Sequence, residues 1–140
     1  MDASALRARL EGSRRSLVEA VQGLTERDFA TEVDGTSIAA QLAVLAPAER
    51  EAVRGARQAL GIPQRPLPPA TERERVSPPQ LVHDLAGARY ETLLLLQTLD
   101  DEALSADVGG MAVGTRLQAV AEREEAAARD IAARRSANPR

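Results

Sequence analysis

The chain is 140 residues long, 44% apolar, 28% charged and only 1% aromatic, with a formal net charge of −3. It has no Cys, no Lys and no Trp, one Tyr (Tyr90), one Phe (Phe29) and one His (His83), so all 18 basic residues are Arg. These absences exclude a Cys nucleophile, a disulfide framework, a thiolate zinc or iron–sulfur site, a Schiff-base or P-loop lysine, a three-histidine metal centre within one chain, and an aromatic platform for single-stranded nucleic acid.

The length fits a single domain, 1–140, large enough for one core. Both signs of charge are interleaved, which gives no electrostatic footprint for nucleic acid. No apolar run reaches the roughly 18 residues of a membrane helix. The opening Met1-Asp2-Ala3-Ser4-Ala5 lacks a signal-peptide core, so a cytoplasmic protein with no membrane partner is expected. Abundant Ala, Arg, Gly and Pro resemble GC-rich coding.

The hydrophobic period is helical throughout, and no alternating β-branched run supports a strand. Helix 1 is expected from about Ser4 to Leu24, with Leu6, Leu10, Leu17, Val21 and Leu24 on one face and Gly23 marking its end. A short turn over 25–29 follows. Thr36 or Ser37 can cap helix 2, which runs over 37–60 with Ile38, Leu42, Leu45, Ala52, Ala56 and Leu60 inward. Pro47 lies inside it and predicts a kink or break. Residues 61–77 read as a loop held extended by Pro63, Pro66, Pro68 and Pro69. Ser77 and Pro78 then start helix 3, which reaches about Leu99. Residues 100–104 form a short turn before Gly109-Gly110. Helix 4 spans 113–135, with Leu117, Val120, Ala121, Ala127, Ala128 and Ile131 inward, and the tail from Ser136 is expected to fray. Four helices of about 20 residues, each about 30 Å long, predict an all-α four-helix bundle. The long link between helices 2 and 3 can cross the bundle, so the expected topology is up-down-down-up.

Four stretches carry a resemblance. They are 24–29 (LTERDF), 35–49 (GTSIAAQLAVLAPAE), 99–104 (LDDEAL) and 111–127 (MAVGTRLQAVAEREEAA). In order and spacing they resemble the DinB-like (DinB/YfiT-type) superfamily of metal-dependent four-helix bundles, which includes mycothiol-dependent isomerase relatives. The resemblance implies a metal held by one His on helix 2 and a His-x-x-x-His pair on helix 4. Here those positions are Val44, Arg123 and Ala127, and the family's Trp before the helix 2 motif is Thr36. The resemblance therefore implies the fold with its metal site lost, since a guanidinium repels a divalent cation. No metal and no cofactor are expected.

Other residues carry competing readings. His83 shares a face with Gly87, Tyr90 and Leu94; it is a surface or interface histidine, or a pH-responsive or general-base group. Glu49 falls seven residues after Leu42, and Glu124 seven after Leu117, so both lie on apolar stripes. A carboxylate there needs a partner, and Arg50, Arg89 or Arg123 could supply one. The two glutamates are paired structural groups, or they form a vestigial pocket for a small polar ligand with Val44, Arg123 and Ala127. Leu93-Leu94-Leu95-Leu96 points to all sides of helix 3, which calls for cover by the crossover or by a second copy. A homodimer anchored on Tyr90, Leu93 and Leu94 is expected. The combined expectation is a non-catalytic small-molecule-binding or interaction protein. The alternatives are a thiol-dependent transferase or isomerase using a site other than the family's, and a small-ligand sensor.

Overall fold

The computed structural model describes residues 2–66 and 77–137. The residues of the crossover at 67–76, with Pro68 and Pro69, and the tail from Asn138 lie outside the described residues. The described chain is mostly helical. Its elements are α1 (Ala3–Val21), α2 (Glu26–Ala30), β1 (Glu32–Val33), β2 (Thr36–Ser37), α3 (Ile38–Ala43), α4 (Leu45–Leu60), α5 (Pro78–Gln97), α6 (Asp101–Leu104), β3 (Asp107–Val108), β4 (Met111–Ala112) and α7 (Val113–Ala137).

Local chemistry sets the helix ends. The Asp2 carboxylate accepts from the Ser4 N–H at 2.8 Å and starts α1. Ser37 accepts from the Ala40 N–H at 3.0 Å and starts α3. Ser77 caps α5, with Pro78 at its first position, where a missing N–H costs nothing. The start of α5 is where the sequence puts it; α1 and α5 each end a few residues early, and α7 continues through Ser136 to Ala137.

Two features correct the sequence reading. Two minimal antiparallel hairpins are present, Glu32 opposite Ser37 and Asp107 opposite Ala112. Their turn residues Asp34 and Gly35, and Gly109 and Gly110, all have positive φ. Such two-residue turns follow the twist of the flanking strands. Strands of two residues are too short to leave a period, so only the Asp-Gly and Gly-Gly signals could have shown them. The second correction concerns helix 2, which is two helices meeting at Val44. Pro47 has no N–H for the Ala43 carbonyl, and its ring crowds that carbonyl, so the break falls about one turn upstream of the proline.

The structure also exposes a repeat. The offset that carries Arg14 onto Arg89 carries Leu6 onto Leu81, Leu10 onto Leu85, Gly12 onto Gly87, Leu24 onto Leu99, Gly35 onto Gly110, Leu42 onto Leu117 and Glu49 onto Glu124. It also carries α1 onto α5, α2 onto α6, β1–β2 onto β3–β4, and the α3–α4 run onto α7. Glu122 stands where Pro47 does, and α7 is unbroken there. The chain thus contains its own control for the proline break.

Apolar burial falls into two clusters. One holds Leu6 and Leu10 of α1, Ala52, Val53 and Ala56 of α4, Leu95 and Leu96 of α5, and Leu117, Val120 and Ala121 of α7, with Leu104 against them. The other holds Leu17 and Ala20, Leu45 and Ala46, Leu81 and Leu85, and Ala128 and Ile131, with Phe29 against them. Removing this apolar surface from water is the main stabilising contribution. Each long helix passes from one cluster to the other, and the residues between the clusters form the site described next.

Candidate functional site

Between the two clusters the helix stripes turn polar. Glu49 on α4 and Glu124 on α7 are each 1% exposed, Thr92 is 0% and Arg89 8%. Carboxylates this deep demand partners, because desolvating an unpaired charge costs several kcal/mol, about 3–5 when one partner is removed.

Two arginines supply them. Arg89 Nε donates to Glu49 Oε2 at 2.9 Å, and Nη2 donates to Glu49 Oε1 at 3.3 Å and to Glu124 Oε1. Arg14 Nε donates to Glu124 Oε2 at 2.6 Å, and Arg14 Nη2 forms an ion pair with Glu49 Oε1 at 3.5 Å. Each guanidinium also reaches backbone: Arg89 Nη1 donates to the Leu10 carbonyl at 2.8 Å, and Arg14 Nη1 to the Leu85 carbonyl at 3.2 Å, while Arg14 Nη2 has the Glu49 ion pair and no hydrogen bond. Leu10 and Leu85 are themselves repeat counterparts, so each arginine clamps the other's helix in the same way. The quartet is reciprocal and electrically neutral.

Two hydroxyls complete it. Thr92 Oγ1 lies 2.5 Å from Glu49 Oε2 and 3.0 Å from the Ala88 carbonyl, and its single proton serves one at a time. Ser13 Oγ stands 3.0 Å from the Leu10 carbonyl and 3.4 Å from Glu124 Oε1. Burial by itself lowers the pKa of the Arg89 guanidinium, but the hydrogen bonds and charges of Glu49 and Glu124 outweigh it and hold the group above its ordinary value. Arg89 is therefore a permanent cation.

The residues named from sequence divide. Glu49 and Glu124 come together as paired buried carboxylates, and of the three partners considered only Arg89 joins them. Arg123 is exposed, and Arg50 lies at the α4–α5 surface with its Nη2 3.0 Å from where a Gly87 side chain would begin. Val44 is 61% exposed at the helix break, and Ala127 is half-buried against the second cluster. The expected pocket of Val44, Glu49, Arg123, Glu124 and Ala127 is thus not assembled. Val44 stands at the break and off the Leu42–Leu45–Glu49 stripe, and Arg123 precedes the inward Glu124 by one residue, which puts it on another face of α7. Of the expected interface residues, Tyr90 is 59% exposed, while Leu93 and Leu94 are half-buried by the chain itself. His83 is exposed.

Arg14 was not singled out from the sequence. Its signal was the repeat: a residue pair Arg14/Glu49 recurring as Arg89/Glu124. Among the described residues no three His, Cys, Asp or Glu side chains group so as to hold a metal ion. The positions that the family resemblance assigns to metal ligands do not fit one either, being an exposed valine, an exposed arginine and an alanine. No helix among the described residues is long and apolar enough to cross a membrane. Comparison with protein-family models, curated proteins and solved structures finds no match.

Proposed function

We propose that this chain is a non-catalytic binding protein built on a DinB-like, up-down-down-up four-helix bundle, in which an Arg–Glu quartet closes the middle of the bundle. The order of the helix halves in the two clusters supports the topology: α1 and α7 pass through them in one sense, α4 and α5 in the other. The observation that carries the functional reading is the closed quartet. Both buried carboxylates face guanidinium cations on their oxygens, so neither offers a lone pair toward an incoming substrate or ion without breaking charged hydrogen bonds. Nor does either glutamate act as a free general base, since proton transfer needs a carboxylate within reach of substrate. Ligand recognition then belongs to the outer faces of the bundle. Calorimetric titration with zinc, manganese and nickel ions tests this. No saturable heat is expected, and binding of one ion per chain refutes the reading.

A further inference from the structure

The groove between α4 and α5 has a volume of about 360 Å³ and is lined by Arg50, Arg54, Arg57, Arg65, Tyr90 and Glu91, with His83 at its edge. The repeat supplies an internal comparison. A second groove lies between α1 and α7, lined by Ser16, Glu125, Ala128, Arg129 and Ala132. These are the repeat counterparts of Glu91, Arg50, Val53, Arg54 and Arg57. Both halves of the chain thus keep the groove, but among the described residues only one keeps its charge balanced. In the α1–α7 groove Glu19 and Glu125 match Arg129 and Arg135. In the α4–α5 groove, among the described residues, four guanidiniums face the one carboxylate of Glu91.

That carboxylate is already engaged. Arg65 Nε sits 2.7 Å from Glu91 and Arg57 Nη2 3.9 Å, while Arg57 Nη1 donates to the Pro63 carbonyl at 3.1 Å. Arg50 and Arg54 have no ion pair and no side-chain hydrogen bond among the described residues. They stand one helical turn apart, a spacing at which like charges repel. Gly87 gives Arg50 its room: a Cβ there would meet Arg50 Nη2 at 3.0 Å, whereas nothing lies within 4 Å of the corresponding point at Gly12. Two unneutralised guanidiniums on one helix, beside an exposed tyrosine ring, suit an anion with several oxygens attached to a small organic body.

We propose that the α4–α5 groove binds a small phosphate-bearing molecule, Arg50 and Arg54 holding the phosphate oxygens and Tyr90 flanking the organic part. This names a ligand class for the binding role above and rests on that role; the quartet itself stands or falls by metal titration. A nucleic acid fits less well, because a polyanion needs an extended basic stripe and the chain as a whole is net −3.

The test is calorimetric titration of the full chain with inorganic phosphate and with pyrophosphate at low ionic strength. Saturable binding of one anion per chain is expected. The variant Arg50→Gln/Arg54→Gln should bind at least about tenfold more weakly, with an unfolding temperature no lower than the parent's, because neither side chain has a partner to lose and their mutual repulsion is removed. Arg129→Gln, at the counterpart of Arg54, should bind like the parent. Gly87→Ala, which displaces the Arg50 tip without removing charge, should also weaken binding. The proposal is overturned if neither anion saturates, if Arg129→Gln weakens binding as much as the double variant, or if a single-stranded oligonucleotide binds with several chains per strand and tighter than pyrophosphate.

Discussion

Replacing Arg89 with Met removes one side chain and strands two charges. Arg89 is the partner of both Glu49 and Glu124, each 1% exposed, and also holds the Leu10 carbonyl. Arg14 alone must then neutralise two buried carboxylates, and its nearest contact to Glu49 is 3.5 Å. Removing one partner from a buried ion pair costs about 3–5 kcal/mol, a large share of the roughly 5–15 kcal/mol that holds a domain together. Urea unfolding followed by circular dichroism should show that loss as a fall in midpoint at constant slope. Arg14→Met should cost less, about 1–3 kcal/mol, because its side chain is 19% exposed and Arg89 remains to face both glutamates. The compensated variant, with Arg14 and Arg89 as Met and Glu49 and Glu124 as Leu, removes all four charges together and should lie close to the parent or above it. If Arg89→Met costs under about 1 kcal/mol, or if the compensated variant is as damaged as the single one, the reasoning about buried charge is wrong.

Further outcomes follow from single positions. Gly12→Ala should raise stability by up to about 1 kcal/mol, since Gly12 is inside α1 and a Cβ there meets nothing within 4 Å; thermal unfolding reads it, and a fall would contradict it. Pro47→Glu, the residue of the second repeat, should join α3 to α4 across Val44 as in α7, which amide hydrogen exchange at Leu45 and Ala46, the first-turn amides of α4, would register as increased protection. Because the pKa of Arg89 is raised in the folded chain, its stabilising contribution is complete at all pH below the ordinary arginine range and is lost only as pH rises through the raised folded value. Unfolding free energy should therefore carry no slope from this group between about pH 7 and about pH 9, and an Arg89-dependent slope there would count against the assignment.

The helical class and the helix starts were legible because they rest on local signals: a 3.6-residue apolar period, a Ser-Pro cap at Ser77 and a proline at position 47. The buried glutamates were also legible, since Glu49 and Glu124 interrupt apolar stripes at heptad spacing. Their partners were not. Arg14 lies beside the Leu10–Leu17 stripe and looks like any surface arginine until it is paired with its repeat counterpart Arg89. Val44 enters the expected pocket only through the family resemblance; the helical period leaves it off the inward stripe, and the structure has it 61% exposed at the break. The hairpins were missed because their strands are shorter than any period.

Two arginines bound to two glutamates close the middle of this molecule, and no metal is expected there. Elemental mass spectrometry on chain purified without chelators, followed by thermal unfolding with and without EDTA, decides this. No stoichiometric divalent ion is expected, and EDTA should leave the unfolding temperature unchanged. A near-stoichiometric metal whose removal lowers the unfolding temperature would contradict it.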